Sequence, residues 1–109
     1  KIELPDGRMV GFVIGSMEPG GVGHVIALGV DPQWRRRGFG RLLMDALEEA
    51  FSEHGATIAR LEVRVDNHAA QALYQKLGYT VTQHLPRYYT NGEDALLMMK
   101  PLPSPASDE

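Results

Sequence analysis

Twelve consecutive residues, Val30-Asp31-Pro32-Gln33-Trp34-Arg35-Arg36-Arg37-Gly38-Phe39-Gly40-Arg41, limit this chain to few folds, because the hydrophobic period changes across them. Before them the pattern is that of strands. Met9 to Met17 is apolar and β-branched between Asp6-Gly7 and Pro19-Gly20-Gly21, His24 to Val30 reads as a second strand, and the glycine-rich turn between them predicts an antiparallel hairpin. After them, from Arg41 to His54, Leu42, Leu43, Ala46, Leu47, Ala50 and Phe51 recur at helical spacing, with Gly55 placed to end the helix. Ile58 to Asp66 alternates again, with Leu61, Val63 and Val65 on one face and Arg60, Glu62, Arg64 and Asp66 on the other. Asn67 is suited to cap a second helix whose Ala70, Leu73, Tyr74 and Leu77 share a side, and Gly78 is its stop. Strands are expected at Tyr79 to Leu85 and Ala95 to Lys100 around Asn91-Gly92, with an earlier strand end at Ile2 to Leu4. The fold class is therefore α/β in the α+β sense, a mixed sheet flanked by helices.

At 109 residues the chain supports one core. The expected division is a folded unit over 1–100 and a flexible tail over 101–109, where three prolines fall within five residues. The composition, 43% hydrophobic and 23% charged, is that of a globular domain, and no apolar run is long enough to cross a bilayer. Without cysteine there is neither a disulfide framework nor a thiolate nucleophile, and with no secretory signal in view the expected compartment is the cytoplasm. A net charge of −3 weighs against a dedicated nucleic-acid binder. The chain opens at Lys1, which makes a piece of something longer the expected origin.

The basic loop suits phosphate. Glycines at 38 and 40 let the backbone approach a bulky anion, N–H groups at the following helix start face it, and the arginines add charge. Generic nucleotide motifs fit poorly: Leu43 stands where a GxGxxG pattern needs its third glycine, and no GK[ST] triplet is present. A solvated basic turn remains the alternative. The four histidines, at 24, 54, 68 and 84, lack metal-ligand spacing and are expected to be structural or solvent-facing, so no metal is expected.

Arg35-x-x-Gly38-x-Gly40 after a strand resembles the acetyl-CoA signature of GNAT acetyltransferases. Leu61-Glu62-Val63-Arg64, Asn67, Ala72-Leu73-Tyr74, Leu77-Gly78-Tyr79, Arg87-Tyr88-Tyr89 and Gly92-Glu93-Asp94-Ala95 follow in order, similar to the ribosomal-protein alanine N-acetyltransferase group. The likeness runs from about Gly7 to Lys100. It implies a mostly antiparallel GNAT sheet and acetyl-CoA as co-substrate. It also implies that the first strand and first two helices of the complete domain, with the loop between those helices that helps hold the acceptor, are missing here.

By this resemblance Glu62 is the general base and Tyr74 the general acid. Leu28, Gly29 and Val30 offer backbone groups to the pantetheine arm. Arg36, Arg37, Gly38, Phe39, Gly40 and Arg41 form the pyrophosphate loop, and Asn67 also reaches the cofactor. Tyr88 and Tyr89 line the acceptor slot. The residues alone leave other roles open: a strand glutamate paired with Arg60 or Arg64, a core tyrosine, ordinary sheet pairing at 28–30 and surface aromatics at 88 and 89. The implied activity is acetyl transfer to an amine, foremost the α-amine of a protein or peptide. The alternative is an acetyl-CoA-binding remnant without efficient turnover. No nucleic-acid or membrane partner is expected.

Overall fold

The computed structural model describes residues 1–103. Six strands form one sheet in the order β1-β2-β3-β4-β6-β5, where β1 is Ile2–Glu3, β2 Met9–Glu18, β3 Val22–Val30, β4 Ile58–Arg64, β5 Thr80–Leu85 and β6 Ala95–Pro101. All neighbours are antiparallel except β3 and β4. That parallel pair is short for the length of its strands. It holds register only from Val22↔Ile58 to His24↔Arg60, whereas β4 stays paired to β6 along its whole length. Beyond His24 and Arg60 the sheet is therefore open along a seam.

Helix α1, Phe39–Glu53, and helix α2, His68–Lys76, pack into one buried cluster. What draws α1 close is the absence of side chains beneath it. A Cβ on Gly23 would stand 2.4 Å from Cγ of Phe51, and one on Gly15 would stand 2.6 Å from its Cζ, so the Phe51 ring lies flat across two strands. Ala59, Leu61 and Val63 of β4, Met98 of β6, and Leu77 and Tyr79 after α2 complete the buried cluster with Met44 and Phe51. One polar group is tied into it: Glu48 of α1 accepts from Tyr79 Oη at 2.8 Å and from Lys100 Nζ at 2.7 Å. Burial and the neighbouring Glu48 carboxylate push the Tyr79 phenol far above its ordinary range. The opposite face of β2 and β3 has no helix among the described residues, and Ile14 and Ile26 there are 50% and 54% exposed.

Three expectations need correction. Helix α1 starts at Phe39 rather than Arg41, because Gly38 takes the left-handed conformation (φ 85°) as its N-cap and Leu42 N already donates to Gly38 O. Leu42 lies off the packed stripe of Leu43, Leu47 and Phe51 and is 56% exposed. The loose tail does not begin at Pro101, which ends β6. Leu102 is buried and donates its N–H to Thr57 O at 2.9 Å. The rest of the expected tail, 104–109, lies outside the described residues.

Candidate active site

The seam between β3 and β4 brings most of the candidate residues together. Asp31 N donates across to Val10 O at 2.7 Å, so by strand alternation the backbone groups of Gly29 are taken by β2, against the expectation that they face the cofactor, while Leu28 and Val30 turn theirs toward the seam. A one-residue bulge precedes them, Ile14 facing Ala27 and Gly15 facing Val25, which bends β3 away from β4. On the other bank the carbonyls of Arg64 and Val65 accept from Gln71 Nε2 at 2.9 and 3.0 Å, so a side chain of α2 replaces the lost strand partner.

The basic loop closes one end of the seam. Pro32–Trp34 forms a 3₁₀ turn capped by Asp31, Arg35 Nε donates to Val30 O at 3.1 Å, and the Arg37 guanidinium stacks on Trp34 at 5.0 Å. Arg41 lies 3.8 Å from Asp45. Arg36 is in the left-handed region (φ 62°), is exposed, and makes no hydrogen bond or ion pair among the described residues. The N–H groups of Phe39, Gly40 and Arg41, in the first turn of α1, precede the first intrahelical bond and are free to meet an anion. Asn67 has a committed oxygen: Oδ1 accepts from Ala70 N at 3.1 Å as the α2 cap, leaving its amide NH₂ to reach outward.

Glu62 stands at the seam's narrow end. It is the second β4 residue after the last paired rung, on the face away from the helices, and its side chain is 10% exposed. Its Oε1 is 2.8 Å from His24 Nε2, and its Oε2 accepts from Arg60 Nη1. His24, expected to be structural or solvent-facing, is in direct contact with the candidate base. Lone histidines carry no spacing signal, and a contact between residues 38 apart arises only from strand pairing.

Tyr74 approaches from the opposite side. It packs on the core, with its ring edge-on to Tyr79 at 5.9 Å, and burial, then the nearby Tyr89 phenol, raise its pKa. Tyr89 is near enough to both candidates for their charges to bear on one another. Burial raises its pKa and the Arg64 guanidinium, 4.3 Å over its ring, lowers it, with Glu62 among the groups raising it further. Arg64 also pairs with Glu93 and Tyr89 N donates to Glu93 O, which ties the 86–94 loop to β4. Tyr88 meets Tyr89 edge-on at 5.0 Å and is exposed. Among the described residues no group of acidic, histidine or cysteine side chains is arranged to hold a metal, and no helix is long and apolar enough to cross a membrane.

A sequence model of the acetyltransferase (GNAT) family matches residues 3–79. An uncharacterized N-acetyltransferase of Methanocaldococcus jannaschii is 43% identical over 100 residues, 91% of this chain and 64% of that protein. An N-alpha-acetyltransferase of Sulfurisphaera tokodaii is 39% identical over 109 residues, covering 89% of this chain and 65% of its own length. The chain thus spans somewhat less than two thirds of these relatives. Among solved structures, the ribosomal-protein-S18-alanine N-acetyltransferase from Escherichia coli superposes with a TM-score of 0.79 at 32% identity, covering 97% of this chain and 70% of that one.

Proposed function

The chain belongs to the GNAT acetyltransferase family, and from that premise we propose that it transfers the acetyl group of acetyl-CoA to an amine, foremost the α-amine of a protein or peptide. The observation that carries this reading is the Glu62 carboxylate, largely buried at the narrow end of an open seam whose other end is a glycine-containing helix start. In the proposed complex the pyrophosphate lies on the N–H groups at Phe39, Gly40 and Arg41, with Gly38 giving the backbone its approach and Arg36 and Arg37 adding charge. The pantetheine arm runs in the seam against Leu28 and Val30. Glu62 first takes a proton from the acceptor ammonium, the neutral nitrogen attacks the thioester carbonyl, the C–S bond breaks as Tyr74 protonates the leaving thiolate, and the second proton lost from the nitrogen restores the Tyr74 phenol. Burial raises the Tyr74 pKa, so its phenol is protonated at neutral pH and present as a donor. Tyr88 and Tyr89 border the acceptor side. The S. tokodaii relative's name supports the α-amine as acceptor. A cytoplasmic site of action fits the lack of cysteine.

The deciding experiment is transfer from acetyl-CoA to a peptide with a free α-amine, compared with a lysine peptide blocked at its N-terminus. Equal rates on both would remove the α-amine assignment, and binding without transfer to either would leave only cofactor binding.

Acetyl-CoA should also raise the melting temperature, because a ligand selective for the folded state adds about 2.7 kcal/mol at a hundred times its Kd. No shift at millimolar concentration would remove the cofactor assignment. Arg36→Ala should weaken acetyl-CoA binding moderately and flatten its dependence on salt, since an exposed charge acts on the phosphates through a screened field. Calorimetry at two ionic strengths measures this, and an unchanged salt slope would place that side chain away from the ligand.

A further inference from the structure

A carboxylate that is to accept a proton is poorly served by a guanidinium in contact with it, because the cation stabilises the charged form and weakens the base. Glu62 faces Arg60 on one oxygen and His24 on the other. Behind both stands Glu18. It accepts from Arg60 Nε at 3.1 Å and from Nη2 at 2.9 and 2.8 Å, a forked pairing that engages both of its oxygens, and its Oε2 lies 3.3 Å from His24 Nδ1. The four side chains close a ring, Glu62–His24–Glu18–Arg60, in which carboxylates alternate with nitrogen-bearing groups drawn from β4, β3 and β2. The ring sits at the rung His24↔Arg60, the last one before the strands separate.

We propose that Glu18 is a positioning residue for acetyl transfer, which takes up the charge of Arg60 and the outer nitrogen of His24 and so keeps the Glu62 carboxylate aimed into the seam without the full charge of Arg60 bearing on it. This rests on the reading that Glu62 receives the acceptor's proton. The other charged or titratable groups bearing on Glu62 are Tyr89, from the loop before β6, and Arg64, two residues along β4 and held by Glu93. Neither can replace Glu18, since neither contacts Arg60 or His24 among the described residues. Three of the four Arg60 side-chain hydrogen bonds run to Glu18 in a geometry that holds the guanidinium plane, and this in turn sets where the Glu62 carboxylate lies.

The test compares the wild type with Glu18→Gln, Arg60→Gln and the double variant. Glutamine keeps size and some hydrogen bonding but removes the charge. Glu18→Gln should lower kcat about tenfold with the KM for acetyl-CoA changed by less than about twofold. Adding Arg60→Gln removes the cation that Glu18 offsets, and kcat should return to within about threefold of the wild type. A clamp that only holds the fold behaves differently: its second break deepens the loss. A Glu18→Gln enzyme as fast as the wild type, or a double variant no faster than Glu18→Gln, overturns the proposal. A measurement without turnover separates this from the reading it rests on. The ¹³C titration curve of the Glu62 carboxyl should move to lower pH in Glu18→Gln and return in the double variant. If the wild type transfers no acetyl group, the acetyl-transfer reading fails on its own, while an unmoved titration curve overturns the role of Glu18 whatever the activity.

Discussion

Glu62→Gln should slow acetyl transfer by about 10²-fold or more near neutral pH while acetyl-CoA affinity holds. The amide keeps the shape of the side chain, so Arg60 and His24 retain a partner, but it cannot accept a proton. An α-ammonium has a pKa of about 8, so at neutral pH most of the acceptor is protonated and depends on a base. Above that pH the neutral nucleophile is supplied by solvent, and the variant should recover part of its deficit. Tyr74→Phe should show no such rescue. Its defect lies in protonating the thiolate, and because burial raises the Tyr74 pKa the wild-type phenol keeps its proton throughout the range in which the amine titrates. Its loss should fall mainly on kcat. pH–rate profiles of both variants with an α-amine peptide measure the difference. A flat deficit for Glu62→Gln across the range would make Glu62 a structural residue, and parallel recovery in Tyr74→Phe would remove the separate acid role.

Much of this was legible from local pattern. Alternation along Ile58 to Asp66 set Leu61 and Val63 inward and Glu62 outward, as found, because period two in a half-buried strand leaves little choice of face. Asn67 and Gly78 marked the second helix because a cap and a left-handed stop depend only on nearby residues. The misses arise where packing decides. Leu42 fits helical spacing as well as Leu43 does, and only the direction of the sheet beneath α1 leaves it outside. Leu102 is drawn in by a hydrogen bond to Thr57, 45 residues away in sequence, against the bias of three neighbouring prolines. The ring of Glu18, His24, Arg60 and Glu62 carries no spacing signal beyond the Arg60–Glu62 pair, because its other contacts exist only through the register of three strands. The candidate site was legible in part for a different reason: the roles of Glu62 and Tyr74 came from family resemblance, and local chemistry alone allowed a strand ion pair and a core tyrosine. Both descriptions fit the geometry, since Glu62 does pair with Arg60 and Tyr74 does pack on Tyr79.

Gly23→Ala should lower stability by about 2–3 kcal/mol, a shift in melting temperature on the order of 10 °C for a domain of this size. Backbone conformation does not require glycine here, and alanine in a strand would by itself be favoured by about 0.5–1 kcal/mol. The cost comes from Phe51, whose ring atoms Cγ and Cδ2 both lie 2.4 Å from the position of the new Cβ. Neither partner has room to retreat. Gly23 is paired on both sides, to Met17 and Ala59, and Phe51 is 3% exposed within the last turns of α1. The helix must therefore lift from the sheet, which opens space over Gly15 as well, because the same ring covers it. Shortening the ring tests the mechanism. Phe51→Leu alone should cost about 1–2 kcal/mol as a large-to-small change, but in that background Gly23→Ala should cost less than about 1 kcal/mol, a favourable coupling that two independent defects would not show. Chemical denaturation of the four proteins closes the cycle. Equal costs of Gly23→Ala in both backgrounds would mean that the ring is not what excludes a side chain at position 23.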